Sequence, residues 1–255
     1  MRRVVFNQKG GVGKTTIVCN LAAIAASRGL RTLVLDLDSQ CNATQYLLGD
    51  AAASGEGTIG DFFEGTLSFS LQSRGLDPFL VATQTNGLYV LPGDPALEHL
   101  QPKLESRQKI YKLRQALDKL KGFDAVYIDT PPALNFYSRS ALIAADRVLI
   151  PFDCDDFARQ ALYVLLDNIA ELRADHNEEL EVDGIVANQF QHRAKLPQRI
   201  VQDLVDEGLP VLSTRLGPSV KVRESHEQGK PLIALEPKHK ITEQFTALFE
   251  ELDHG

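Results

Sequence analysis

The amino-acid sequence predicts an α/β fold: a single domain over residues 1–255 in which a mostly parallel, twisted sheet is flanked by helices. Three observations lead there. A short apolar run, Val4-Val5-Phe6, precedes a glycine-rich loop, and Ile17, Leu21, Ile24 and Ala25 then recur at helical spacing. A second apolar run, Thr32-Leu33-Val34-Leu35-Asp36, follows the first after about thirty residues, and strand, helix, strand at that separation is the unit of a parallel sheet. With 255 residues the chain can bury roughly three quarters of its unfolded surface around one core, and no second core is evident.

The first helix should stop at Gly29, where a left-handed residue can close it. Ligands of parallel sheets gather beyond the carboxyl ends of the strands, so Asp36 and Asp38 should emerge beside the glycine-rich loop. Ala51 to Gly57 is small and turn-prone, which predicts a mobile surface loop, and Thr58 to Phe63 predicts a short helix. Leu88-Tyr89-Val90-Leu91 reads as a strand ending at Pro92-Gly93.

Between Ser106 and Lys121 the spacing predicts one helix with Ile110, Leu113, Leu117 and Leu120 on its apolar face. The opposite face holds Arg107, Lys109, Lys112, Arg114, Lys119 and Lys121 against the single acid Asp118. Both a solvated face and a second DNA-facing patch fit that pattern. Ala125 to Ile128 is a strand running into Asp129, and Arg147 to Pro151 is a further strand. Ala158 to Ala174 should be helix with Leu162, Leu165, Leu166 and Ile169 inward, and Asp183 to Ala187 a strand ending at Asn188.

The chemistry is concentrated in Lys9-Gly10-Gly11-Val12-Gly13-Lys14-Thr15-Thr16. Without a Cβ, Gly10, Gly11 and Gly13 let successive backbone N–H groups turn toward one anion. The helix that starts here adds its positive dipole end, and Lys14 adds a mobile charge for the β- and γ-phosphates of a nucleotide. Thr15 would place a hydroxyl on the accompanying Mg²⁺. The general P-loop pattern, G-x-x-x-x-G-K-[ST], is not met in full, because Gln8 stands at the first glycine and Lys9 opens the loop.

The run KGGVGKT is the deviant Walker A motif, and on it the chain resembles the ParA/MinD superfamily of P-loop NTPases, most of all the ParA partition and positioning ATPases. Asp38 to Thr44 resembles that family's D-x-D-P-Q-G-N-[AS] switch, with Ser39 and Cys41 replacing the proline and the glycine. Asp129-Thr130-Pro131-Pro132 matches its D-x-P-P segment at the end of a Walker B strand. The resemblance implies ATP and Mg²⁺ as cofactors, with Lys9 through Thr16 on the nucleotide. It makes Thr15, Asp38 and Asp129 the metal-side groups, and Lys9, Lys14 and Asp38 the catalytic ones, Asp38 orienting the attacking water. Lys9 is expected to cross a face-to-face homodimer to the phosphates bound by the other protomer, so that ATP promotes dimerisation. Asp155 falls where relatives carry an acid near the partner's nucleotide.

For the base, Asn188 can both donate to and accept from an adenine edge, whereas guanine-specific relatives place an aspartate where Gln191 stands. Arg193, Lys195, Arg199, Arg215, Lys221, Arg223 and Lys230, anchored by Gly229-Lys230-Pro231, resemble the DNA-contacting end of ParA proteins. Arg193, Lys195, Lys221 and Arg223 are the expected DNA-binding residues, and Gly217-Pro218 stands where relatives line the adenine. The net charge of -7 argues against wholesale coating of nucleic acid, so non-specific contact with nucleoid DNA must use this local patch.

No apolar run approaches the roughly 20 residues of a membrane span, and Met1-Arg2-Arg3 runs straight into a strand, so a cytoplasmic, nucleoid-associated protein is expected. Cys19, Cys41 and Cys154 lack metal-ligand spacing and read as buried or incidental thiols. Near the C-terminus Ile241, Phe245, Leu248, Phe249 and Leu252 form an apolar stripe among Glu243, Glu250, Glu251 and Asp253; an acidic helix is repelled by an acidic leaflet, so no membrane contact is expected. No arginine finger is evident, which implies turnover below roughly 1 s⁻¹ until a cargo-adaptor protein stimulates it. The alternatives are a MinD-like membrane-associated positioning ATPase, a flagellar or chemoreceptor placement regulator, a redox ATPase resembling nitrogenase iron protein, and a small-molecule ligase of the dethiobiotin synthetase type.

Overall fold

The computed structural model describes residues 1–49, 57–68, 75–154 and 156–254. Ala51 to Ala53 and the rest of the expected loop up to residue 56 lie outside the described residues, as does Asp155. Seven strands form one sheet: β1 (Arg2–Val5), β2 (Thr32–Asp36), β3 (Val81–Ala82), β4 (Leu88–Leu91), β5 (Ala125–Asp129), β6 (Arg147–Asp153) and β7 (Glu181–Asn188). Their order is β3-β4-β2-β5-β1-β6-β7, and every pairing is parallel except that of β3 with β4. Strand β1 therefore lies inside the sheet, between β5 and β6, where the order reverses, and such switch points are where parallel sheets bind ligands.

The strands are apolar on both faces because helices cover both. On one face Val4, Leu33, Leu35, Val126, Ile128, Val148, Ile150 and Ile185 pack against α3 (Ile59–Leu67), α4 (Leu97–Ser106), α5 (Lys112–Lys119), α6 (Phe136–Ala144), α7 (Asp156–His176) and α8 (Lys195–Asp206). On the other, Val5, Val34, Tyr127, Leu149 and Val186 meet α1 (Lys14–Ser27), α2 (Asn42–Leu48), α10 (Leu232–Leu235) and α11 (Lys240–His254). The period-two alternation along each strand supplies the two apolar faces that this sandwich of layers requires.

Helix α1 ends as expected: Gly29 takes φ +88° and Leu30 N donates to Ala25 O at 3.2 Å. Helix α3 begins at Ile59 because Thr58 caps it, with Asp61 N donating to Thr58 Oγ1 at 3.3 Å and Thr58 N donating to Asp61 Oδ2 at 2.8 Å. Residues Ile241, Phe245, Leu248, Phe249 and Leu252 of α11 are buried against the α1 face, so the acidic C-terminal helix is docked on the domain.

One expected element is corrected. Ser106 to Lys121 is not one helix; α4 ends at Ser106 and α5 starts at Lys112. Gln108 adopts φ +51°, and Lys109 N folds back to Leu104 O at 3.0 Å, a helix stop usually made by glycine. Leu113 and Leu117 are buried as the spacing required. Two of the basic side chains opposite them are engaged locally, Arg107 with Leu67 O and Lys112 with Gln115 Oε1. Helices α4 and α6, together with the two-residue strand β3, carry no expectation from the sequence.

Candidate functional site

The loop from Lys9 to Gly13 links β1 to α1 at the switch point. Gly13 takes φ +88° and stands directly before α1. A Cβ there would lie 2.3 Å from Asn188 Nδ2, so only glycine fits. Helix α1 has no side-chain cap and no acid in its first turn, which leaves its first N–H groups directed at the cleft. The cleft is about 580 Å³ and is lined by Gly10, Gly11, Gly13, Lys14, Thr15, Thr16, Asp38, Gln40, Asn42, Gln45, Tyr46, Pro132 and His226. Val12, just before Gly13, is buried, and its carbonyl accepts from Asn188 Nδ2 at 2.8 Å.

The two lysines of the loop diverge. Lys14 is 8% exposed, and its Nζ donates to Lys9 O at 3.1 Å across the loop. Burial lowers its pKa, and the charges of Asp129 and Asp38 offset part of that. The Lys9 side chain is 39% exposed and points instead toward the end of β6, with Nζ 3.5 Å from Asp153 Oδ2. Asn7 holds the start of the loop, accepting from Lys9 N at 2.9 Å and donating to Pro151 O at 2.7 Å.

Three carboxylates lie at the ends of β2 and β5. Asp129 is fully buried, accepts from Thr15 Oγ1 at 2.6 Å and from Thr130 N at 3.1 Å, and stands beside Asp36 in the strand register. Burial first, and then the charge of Asp36, pushes its pKa well above the ordinary carboxylate range. Asp36, also fully buried, accepts from Thr44 N at 2.8 Å, Thr44 Oγ1 at 2.7 Å and Asp38 N at 3.2 Å, and burial raises its pKa too. Asp38 is the one of the three that lines the cleft, and its Oδ1 accepts from Gln40 N at 3.0 Å. Of the two aspartates expected to emerge beside the loop, Asp36 therefore serves as an internal anchor and Asp38 faces the ligand space.

A glycine cradle, uncapped helix N–H groups, a buried ammonium and a desolvated carboxylate touching a threonine hydroxyl together fit a magnesium-bound polyphosphate. A cation beside Asp129 would offset the desolvation of its carboxylate, which fits a metal bound next to Thr15. Thr15 and Asp129 would hold the metal, which when bound neutralises phosphate charge.

A second opening of about 490 Å³ adjoins the loop and is lined by Gly13, Thr16, Asn188, Gly217, Pro218, Val222, Arg223, Ile241 and Phe245 among others. Asn188, expected to read a base, and Gly217-Pro218 do meet here. Of the expected DNA-binding residues, Arg193 and Lys195 are exposed at the turn before and the start of α8, while Lys221 and Arg223 lie on α9 (Val220–Glu227). Lys221 is already paired with Glu224 at 2.8 Å and Glu236 at 3.0 Å.

Comparison with known proteins agrees with this geometry. A family model described as AAA domain matches residues 3–182. The chromosome partitioning protein ParA of Myxococcus xanthus is 34% identical over 97% of this chain and 86% of its own length. The chain belongs to the ParA family of ATPases. The sporulation initiation inhibitor protein Soj of Bacillus subtilis is 30% identical over 97% of this chain and 96% of its own length. Among solved structures, cobyrinic acid a,c-diamide synthase from Mycobacterium smegmatis with bound ATP analog and magnesium superimposes with a TM-score of 0.83 at 26% identity, over 98% of this chain and 92% of that one. As a ParA-family protein the chain hydrolyses ATP with Mg²⁺. No helix among the described residues is long and apolar enough to cross a membrane.

Sequence reading missed Tyr46, Gln45 and His226 as cleft residues. Nothing local marks them: Tyr46 lies past the switch segment, and His226 reaches the cleft from the C-terminal quarter.

In the switch, Cys41 stands where the ParA pattern has glycine and is held at φ +54°. Its Sγ donates to Ser39 O at 3.4 Å, and burial, then Asp36, Asp94 and Asp38, push the thiol pKa up to about 12. A left-handed non-glycine residue costs about 1–2 kcal/mol, against about 0.4–1 kcal/mol of extra unfolded-state entropy for glycine. Cys41→Gly should therefore stabilise the ligand-free protein by up to about 1 kcal/mol, raising the thermal midpoint by about 2–4 °C. A lower midpoint in a calorimetric scan would show that the thiol's contacts outweigh the strain.

Proposed function

We propose that this chain is a DNA-dependent positioning ATPase that partitions or places a cargo. Mg·ATP bound between Lys9 and Thr16 promotes a face-to-face homodimer, in which each Lys9 reaches the triphosphate of the other protomer. The observation that carries this reading is the divergence of the two loop lysines. Lys14 is folded into its own cradle, whereas the Lys9 side chain turns away from it, part-exposed, toward Asp153 at the end of β6, a direction that leaves it available to a second protomer's anion. Asn188, with Gly217 and Pro218, would take the adenine in the adjoining opening.

Dimerisation doubles a modest patch made of Arg193, Lys195, Lys221 and Arg223, giving non-specific contact with nucleoid DNA. Lys221 would exchange its two carboxylate partners for phosphate. A protomer with three or four phosphate contacts becomes a dimer with about six to eight, so affinity should fall about 10³- to 10⁵-fold between 50 and 200 mM salt. A stimulating adaptor on the cargo then accelerates hydrolysis and releases the dimer. The Myxococcus xanthus ParA, named for chromosome partitioning, supports this over the alternatives.

Lys9→Ala tests it. With a slowly hydrolysed ATP analogue, light scattering should find the wild type at twice the 28.1 kDa protomer mass and the variant at one protomer, with nucleotide affinity of the protomer within about threefold. A variant that still dimerises, or a wild type that binds DNA equally well without nucleotide, would refute the cycle.

A further inference from the structure

Helix α9 reaches the nucleotide cleft through a polar cluster that hydrolysis does not call upon. His226 Nε2 lies 3.0 Å from Thr16 Oγ1 in the first turn of α1. The His226 ring stacks on Tyr46 of α2, with centroids 4.0 Å apart and 15° between the planes. The Tyr46 hydroxyl shares a close hydrogen bond with Ser225 and accepts from Asn20 Nδ2 at 3.2 Å. Asn20 completes the circuit: its Nδ2 also donates to Thr16 O at 2.9 Å, and its Oδ1 accepts from Leu232 N at 2.9 Å. Tyr46, Asn20 and Ser225 are buried, while His226 and Thr16 line the cleft. Segments more than two hundred residues apart thus share one network whose outer wall is the phosphate site.

The hydroxyl of Thr16 has one hydrogen to give. When Nε2 of His226 carries no proton, Thr16 donates to the ring and presents only lone pairs to the cleft, which repel a phosphate oxygen. When Nε2 carries the proton, His226 donates to Thr16, whose own hydrogen can turn to the phosphate. Burial lowers the His226 pKa, so the ring is neutral near pH 7 and holds one N–H. The choice between the two arrangements is then a choice of tautomer.

We propose that His226 is a positioning residue for the triphosphate: it holds Thr16 as a hydrogen-bond donor toward the phosphate chain, and by the same bond fastens α9 to an occupied cleft. Nucleotide selects the Nε2–H tautomer, and the helix carrying Lys221 and Arg223 is ordered against α1 and α2 as a result. The inference rests on ATP occupying this cleft and not on DNA binding.

The test uses ¹⁵N-histidine-labelled protein with Mg²⁺ and ATPγS. His226, one of six histidines, is assigned by the signal lost in His226→Gln. The expected spectrum shows Nε2 protonated in the nucleotide state. His226→Ala should weaken ATPγS binding about 2- to 10-fold, the worth of one neutral hydrogen bond. His226→Gln, whose side-chain amide can donate to Thr16, should recover most of that. Amide exchange across Val220–Glu227 should slow when the wild type binds ATPγS and should not slow in His226→Ala. An unprotonated Nε2 in the nucleotide state overturns the proposal, and so does an alanine variant with unchanged affinity and exchange. Should His226→Ala fail to fold, the wild-type spectrum and the glutamine variant still decide. Failure of the wild type to bind ATPγS at all would overturn the ATP assignment along with the inference, and the titration reveals that before any variant is made.

Discussion

Lys14→Ala is expected to weaken ATP binding by about 10- to 150-fold and to lower turnover by a further 10²- to 10³-fold. The first figure is the about 1.5–3 kcal/mol of a hydrogen bond to a charged group, and the second is typical of a lost electrostatic contact to charge developing in the transition state. The ligand-free protein should be no less stable for the change. Burial disfavours the Lys14 ammonium more than Asp129 and Asp38 favour it, as the direction of its pKa shift shows, so the fold bears a cost that only a phosphate ligand repays. Titration calorimetry and thermal melts measure the two effects separately. Loss of ligand-free stability together with binding would mean that Lys14 is chiefly a structural cation.

Asp38→Asn should separate binding from chemistry in the opposite way. Turnover is expected to fall by about 10²- to 10⁴-fold, the range for removing a group that takes or orients the proton of an attacking nucleophile. ATP affinity should stay level or rise, because one of three carboxylates near the phosphate site is neutralised. Asparagine keeps the shape and the acceptor for Gln40 N, so the switch backbone is preserved. Single-turnover kinetics against equilibrium binding make the distinction. A fall of less than about tenfold would remove Asp38 as the group that orients water and leave Asp129 and Lys14 to account for catalysis.

Much of this site was legible in the sequence because its chemistry is local. Seven residues of the phosphate loop, an apolar strand ending in Asp129 and a strand ending in Asn188 each declare themselves within a short window, and parallel-sheet topology places the strand ends side by side. What escaped reading was made by tertiary contact or by rare backbone conformations. Gln108 takes a left-handed turn although nothing in its type announces one, so the stretch between Ser106 and Lys112 read as the start of a helix that begins only at Lys112. The strand β3 pairs through only two residues, too short for an alternation to register. His226 belongs to the cleft only because α9 folds back over α1, a contact between positions 16 and 226 that no window spans.

Asp36 has a mechanical consequence. Its two oxygens grip the backbone on both sides of the switch, at Asp38 and at Thr44, while the Thr44 hydroxyl also takes a hydrogen bond from Gly93. A clasp at each end holds the stretch from Ser39 to Ala43 as one closed loop, so release of a phosphate is expected to turn Gln40 between tethered ends, with Asp38 and Thr44 kept in place.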